Sequence, residues 1–237
     1  MKDSETHLPE AEEAPQPAKL IEGLALAGLL AAVLALFLFA KLASEMREGE
    51  TAAFDNAVRS WVHQFASPGM TLAMKGVSLL GYNILIVELV IAIAIFLFLR
   101  WRRGAIWLAI TMAGAVILEI TLKYAFHRQR PVPFFGAAPH SYSFPSGHAL
   151  ASFCFYTVLA GLIADRVEKL SVKIAVGIAA GVLVLAIGIS RIYLGVHYPS
   201  DVVAGYIAAA MWVSTMLVID HVGTKAVARV RKRKSNL

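Results

Sequence analysis

Six long apolar runs, at approximately 20–40, 77–99, 105–122, 147–164, 174–190 and 202–219, are separated by short polar connections. Each is close to the ~20 residues a helix needs to cross a ~30 Å hydrocarbon core. The pattern predicts an all-α protein, a bundle of six transmembrane helices over residues 20–223, with little room for a separate soluble domain. Between the first two runs, Phe54, Val58, Trp61, Val62 and Phe65 recur at helical spacing, while Asp55, Asn56, Arg59, Ser60 and Gln64 fall largely on the other side. That spacing predicts a short helix, either lying in the membrane interface or packed as an ordinary loop helix. The segment from Tyr124 to Pro145 contains Pro131, Pro133, Pro139 and Pro145 and cannot be one continuous helix. Its aromatics, Phe134, Phe135, Tyr142 and Phe144, suit a loop dipping into the headgroup region, as a gate for lipid or as a rigid cover.

Composition supports the membrane reading. The chain is 58% hydrophobic and only 16% charged, with a mean hydropathy of +0.67, whereas soluble domains carry roughly 25% charged residues. The first run is read as a retained anchor, because Asp3, Glu5, Glu10, Glu12 and Glu13 stand where a signal peptide would carry positive charge. The leader, residues 1–19, with Pro9, Pro15 and Pro17, is expected to be disordered. Cys154 is the single cysteine and excludes an intramolecular disulfide; a small packed side chain is expected there.

The net charge of +6 is unevenly placed. Lys2, Lys19, Arg100, Arg102, Arg103, Arg166, Lys169, Lys173 and the tail residues Lys225, Arg229, Arg231, Lys232, Arg233 and Lys234 all fall on one side of the predicted bundle. The positive-inside rule puts both termini in the cytoplasm. The basic tail, residues 224–237, is expected to set topology and touch anionic lipid rather than bind nucleic acid.

Three polar clusters end up on the opposite, external face: Lys123 with Arg130-Pro131; Pro145-Ser146-Gly147-His148; and Ser190-Arg191 with His197 and Asp201. Charged groups in a membrane protein are costly, which makes such a grouping a functional-site hypothesis. Three permanent cations want a polyanion, with Lys supplying a point charge and Arg a planar fork for phosphate oxygens. Glu119, one helical turn before Lys123, is placed to position that lysine. Ser146 is a natural N-cap, and with Gly147 it opens a helix N-terminus that attracts anions. His148 then projects from the first turn, placed to protonate a leaving oxygen. His197 and Asp201 are four apart, so the carboxylate is able to fix the imidazole tautomer; a surface histidine with a helix-capping aspartate is the plainer alternative. Two imidazoles, one to attack and one to move a proton, beside three cations read as phosphoryl transfer.

Lys123-(six residues)-Arg130-Pro131, Pro145-Ser146-Gly147-His148 and Ser190-Arg191-(five residues)-His197-(three residues)-Asp201 resemble, position for position, the three-part signature of the type 2 phosphatidic acid phosphatase superfamily, which also includes vanadium haloperoxidases. The resemblance implies an integral membrane lipid phosphatase in which His197 attacks phosphorus to give a phosphohistidine. Asp201 orients His197, and His148 protonates the leaving group and then activates water. Lys123, Arg130 and Arg191 hold the phosphate oxygens together with Ser146 and the Gly147 backbone. It implies no cofactor. No further carboxylate accompanies Asp201 in the motifs, which argues against a two-metal site. The expected partners are membrane lipids and a lipid phosphate such as undecaprenyl diphosphate, phosphatidylglycerol phosphate or phosphatidic acid, in a bacterial-type inner membrane; oligomeric state has no signal in the pattern. A non-catalytic lipid-phosphate transporter or binding protein and a haloperoxidase-like enzyme are the alternatives.

Overall fold

The computed structural model describes residues 17–137 and 139–234, so the leader up to residue 16 lies outside the described residues. The described residues form helices only: α1 (Pro17–Glu48), α2 (Ala52–His63), α3 (Pro68–Leu79), α4 (Asn83–Phe98), α5 (Arg102–Phe126), α6 (Gly147–Ala164), α7 (Leu170–Tyr193) and α8 (Pro199–Lys234).

Five stretches are long and apolar enough to span a bilayer: Ala25–Glu48, Arg102–Phe126, Gly147–Ala164, Leu170–Tyr193 and Pro199–Gly223. The sixth expected span is not one straight helix. It is the pair α3 and α4, bent by 41° at residues 80–82. At the break the chain passes close to two other helices: a Cβ on Gly81 would collide with Ile187 of α7 and press on the His148 ring of α6. Only glycine lets the chain turn this close to two other helices. Counted as one span, the pair completes a six-span bundle.

Over half of the apolar window of α6 is buried (56%), against 17% for α1 and for α7, so α6 is the central helix. It packs on α5, α7 and α8, while α1 lies along α8 and α3 along α7. Fully buried Leu108, Leu150, Cys154, Phe155 and Ile187 interlock with the small residues Ala204, Ala208 and Ala209 of α8. Small residues at such contacts let helix backbones approach where lipid offers no hydrophobic drive for association. Leu30, Phe37, Val90, Ile117, Ile178 and Val182 remain exposed on the outside of the bundle, as a lipid-facing surface requires.

Two local expectations need correction. On α2, Phe54 and Trp61 are exposed, as is Phe65 just beyond it, but Val62 is buried together with Asp55. The helix therefore turns an acid inward, where an ionic partner awaits it, and the apolar residues divide between two faces. In the proline-rich segment, Phe144 is fully buried and packs on Phe39 and Phe126, with ring centroids 5.6 Å and 5.0 Å away. It is a core residue and not a headgroup contact. Phe134 stacks on His63 at 4.0 Å and Phe135 on Tyr193 at 5.5 Å, so both rings pack against the bundle. Glu88, in the middle of α4, accepts a hydrogen bond from Tyr156 Oη at 2.7 Å.

Candidate active site

The ends of α5 and α7, the starts of α6 and α8, and the 127–146 segment meet at one end of the bundle. In the last turn of α5, Lys123 is buried and its Nζ donates to the Tyr142 carbonyl at 2.8 Å. One turn back, Glu119 Oε1 lies 3.6 Å from the same Nζ, the contact expected of that spacing. The Glu119 carboxylate also rests on Gly147, where any Cβ would overlap it. A side chain at this start of α6 would therefore push the Glu119 carboxylate off its place beside Lys123. Ser146 caps that helix, its Oγ accepting from the Ala149 N–H, and its own N–H donates to the Asp201 carbonyl at 2.9 Å.

His148, in the first turn of α6, stacks on Tyr82 with ring centroids 5.3 Å apart. It lies within electrostatic reach of Arg191, His197, Arg130 and Lys123. Arg191, in the last turn of α7, donates through Nη1 to Ser78 of α3. Its buried Nε has no hydrogen-bond partner among the described residues.

Arg130 reaches across the site. Its Nε donates to the Ser141 carbonyl at 2.7 Å, its Nη2 to Ser141 Oγ at 2.9 Å, and its Nη1 to the Val196 carbonyl at 2.8 Å. The same Nη1 lies 2.9 Å from His197 Nε2. A guanidinium only donates, so Nε2 is the accepting nitrogen and the ring proton sits on Nδ1. Nδ1 is 3.5 Å from Asp201 Oδ2 and 3.4 Å from Ser143 Oγ. His197 is thus held in the tautomer that points a lone pair at the cations.

The structure brings together all nine residues expected at the site: Glu119, Lys123, Arg130, Ser146, Gly147, His148, Arg191, His197 and Asp201. It adds others that the motifs do not contain. Arg128 donates through Nη1 to Asp201 Oδ1 and to Ser200 Oγ, both at 2.7 Å, and through Nη2 to Asp55 Oδ2 at 2.8 Å. Asp55, fully buried, also accepts from the Ser200 N–H at 2.9 Å and from Ser200 Oγ at 2.7 Å. A second carboxylate from outside the motifs therefore lies near Asp201, with a guanidinium between the two. Ser143 Oγ donates to Asp201 Oδ2, and the Tyr198 N–H donates to the same oxygen at 2.8 Å. Arg128 stood two residues before Arg130, and Asp55 stood seven before Val62 on one stripe of α2, so both carried a faint signal. Ser143, Ser78 and Tyr82 carried none.

Burial, joined by the nearby charges of Arg130 and Arg191 and only partly offset by Asp201, pushes the His197 pKa down to about 3. The imidazole is therefore neutral at any ordinary pH in the free protein. Arg130 is also lowered by burial, against the pull of Asp201 and Glu119. For Arg128 burial acts downward too, but Asp201 and Asp55 outweigh it and the value is raised.

Known proteins resemble this chain in sequence and in fold. The chain is 32% identical over 176 residues to phosphatidylglycerophosphatase B of Bacillus subtilis, covering 72% of this chain and 86% of that protein. It is 34% identical over 176 residues to the decaprenylphosphoryl-5-phosphoribose phosphatase of Mycobacterium tuberculosis, covering 70% of this chain and 87% of the relative. The crystal structure of a transmembrane PAP2-type phosphatidylglycerolphosphate phosphatase from Bacillus subtilis superposes with a TM-score of 0.70 at 29% identity, over 82% of this chain and 96% of that one. The PAP2 superfamily profile matches residues 104–223, from the first turns of α5 into α8. With the three motifs converging on one buried His–Asp pair inside that region, this chain belongs to the PAP2 superfamily.

Proposed function

We propose that the protein is a membrane lipid phosphatase that works through a phosphohistidine on His197. The observation that carries this reading is the setting of the imidazole: a neutral ring with Nδ1 toward Asp201 and Nε2 toward a guanidinium. A phosphate entering among Lys123, Arg130 and Arg191 draws Arg130 Nη1 off Nε2 and onto a phosphate oxygen, which frees the lone pair. Nε2 then forms a bond to phosphorus as the bond to the lipid oxygen breaks. His148 gives its proton to that oxygen. Neutral His148 next takes a proton from water, whose oxygen attacks phosphorus; the P–N bond breaks, and orthophosphate leaves with His197 restored. Most of the catalysis is positioning and charge neutralisation, as phosphoryl transfer demands. The Asp201 carboxylate offsets the positive charge on the phosphorylated ring.

Relatives named for phosphatidylglycerophosphate, undecaprenyl diphosphate and decaprenylphosphoryl-5-phosphoribose support a substrate with a phosphate or diphosphate on a long apolar tail. The charge asymmetry of the loops supports cytoplasmic termini and a site facing outward from a bacterial inner membrane, with residues 20–223 as the phosphatase unit and 224–237 as a basic cytoplasmic tail.

The test is phosphate release by purified protein in detergent from a panel of these lipids, with wild type and His197→Ala side by side. Turnover by wild type alone, with labelled phosphate trapped on His197, is the expected result. Turnover by His197→Ala would overturn the covalent route. A reporter active only outside the cytoplasm, inserted within residues 134–142, should work, and one fused after Leu237 should stay silent.

A further inference from the structure

We infer that Arg128 and Asp55 are positioning residues for the hydrolysis, a brace that holds Asp201 in register with His197. The inference rests on the phosphatase reading above. Asp201 has two oxygens with separate duties. Oδ2 faces His197 Nδ1 and accepts from Ser143 and the Tyr198 N–H, whereas Oδ1 accepts from Arg128 Nη1 at 2.7 Å. A carboxylate gripped from one side by a guanidinium cannot rotate away from the imidazole on the other.

The guanidinium is itself immobilised. Its second arm pairs with Asp55 at 2.8 Å, and its plane lies over the Tyr198 ring at 4.1 Å. Asp55 in turn accepts from the Ser200 N–H in the first turn of α8, one residue before Asp201. The result is a closed circuit, Asp55 to Arg128 to Asp201 and back through Ser200, that clamps the start of α8 onto α2. Every member is buried or nearly so: the side chains of Asp55, Arg128 and Asp201 are 1%, 14% and 0% exposed.

Charge balance gives the circuit a second purpose. Lys123, Arg130 and Arg191 form a cationic group that would also attract the Asp201 carboxylate, and Arg130 is already electrostatically coupled to it. Arg128 supplies a competing cation on the far side of Asp201, so the carboxylate stays with the imidazole and does not pair with those three cations. Arg128 has its terminal nitrogens already committed, Nη1 to Asp201 and Ser200 and Nη2 to Asp55 and Thr51, which turns the fork toward the brace and away from a phosphate. Its removal should therefore damage the chemical step and spare phosphate binding.

The experiment compares wild type, Arg128→Ala, Arg128→Lys, Asp55→Asn and the Asp55→Asn/Arg128→Ala double variant, all purified in detergent. The readouts are kcat, KM, the inhibition constant for orthophosphate, and thermal unfolding to verify folding. Arg128→Ala and Arg128→Lys should each lower kcat by about 10- to 100-fold, the size of one or two charge-assisted hydrogen bonds. KM and the orthophosphate constant should stay within about threefold. The double variant should be no slower than Arg128→Ala, because one circuit broken twice is broken once. Added guanidinium ion should restore part of the Arg128→Ala rate.

A folded Arg128→Lys or Asp55→Asn protein with wild-type kcat would overturn the inference, and these two milder variants keep it testable if Arg128→Ala fails to fold. A weakened orthophosphate constant at unchanged kcat would overturn it in another way, by making Arg128 a phosphate ligand. An inactive wild type, or an active His197→Ala protein, would instead sink the parent phosphatase mechanism.

Discussion

Replacing Asp201 with Asn changes few atoms and removes one charge, which makes it a sharp probe of the His–Asp pair. In the native site Oδ2 lies 3.5 Å from His197 Nδ1, with both side chains essentially inaccessible to water. At an effective dielectric of ~20, a full charge on the ring at that distance is stabilised by about 5 kcal/mol. Phosphorylation of Nε2 creates such a charge, so its loss should raise the barrier by most of this amount, a kcat decrease of about 10³-fold. The amide also cannot accept on both sides. Either Arg128 Nη1 or the group formed by Nδ1–H, Ser143 and the Tyr198 N–H must face an NH₂. One buried donor left unsatisfied costs roughly 1–3 kcal/mol of stability, and more if charged. The assay is single-turnover phosphate release, with thermal unfolding and vanadate binding as controls for fold and pocket. If a folded, vanadate-binding Asp201→Asn protein loses less than about tenfold in rate, Asp201 is only a helix cap and the orientation of His197 comes from elsewhere.

His148→Ala should flatten the alkaline limb of the pH–rate profile and slow lipids with poor leaving groups more than activated esters; equal slowing of both would remove His148 from the acid role. Vanadate should inhibit, because a pentacoordinate oxyanion suits a pocket of three cations, and excess chelator should leave activity intact; loss on chelation that Mg²⁺ restores would contradict the metal-free mechanism. Acid should destabilise the fold through His197. Its folded value near about 3 lies below the unfolded value of ~6.5, so the unfolded chain takes up a proton that the folded chain refuses. The stabilisation is complete above pH ~6.5 and falls toward pH ~3 by up to about 1.4 kcal/mol per unit. His197→Gln should make the unfolding temperature less pH-dependent across that window, and an identical dependence would argue against a buried neutral imidazole.

Membrane architecture was legible in the linear pattern because lipid imposes a length on every apolar run, whatever it packs against. Span α6 begins at Gly147 and ends at Ala164, where hydropathy alone placed it. The nine residues expected at the site were legible for a related reason: most lie within a few residues of the end of an apolar run, so a charge or small residue there stood out against apolar neighbours. Other features depended on contacts between segments far apart in the chain. At the bend over residues 80–82, Gly81 lies against Ile187 and His148, neither of which is near it in sequence. Asp55 looked like part of a solvated face until Arg128 and Ser200, 73 and 145 residues away, arrived to receive it. Phe144 looked like an interfacial aromatic until Phe39 and Phe126 closed over it. A local pattern records how a residue compares with its neighbours in the chain. Whether a charge is buried, and beside which partner, is decided only when the helices pack.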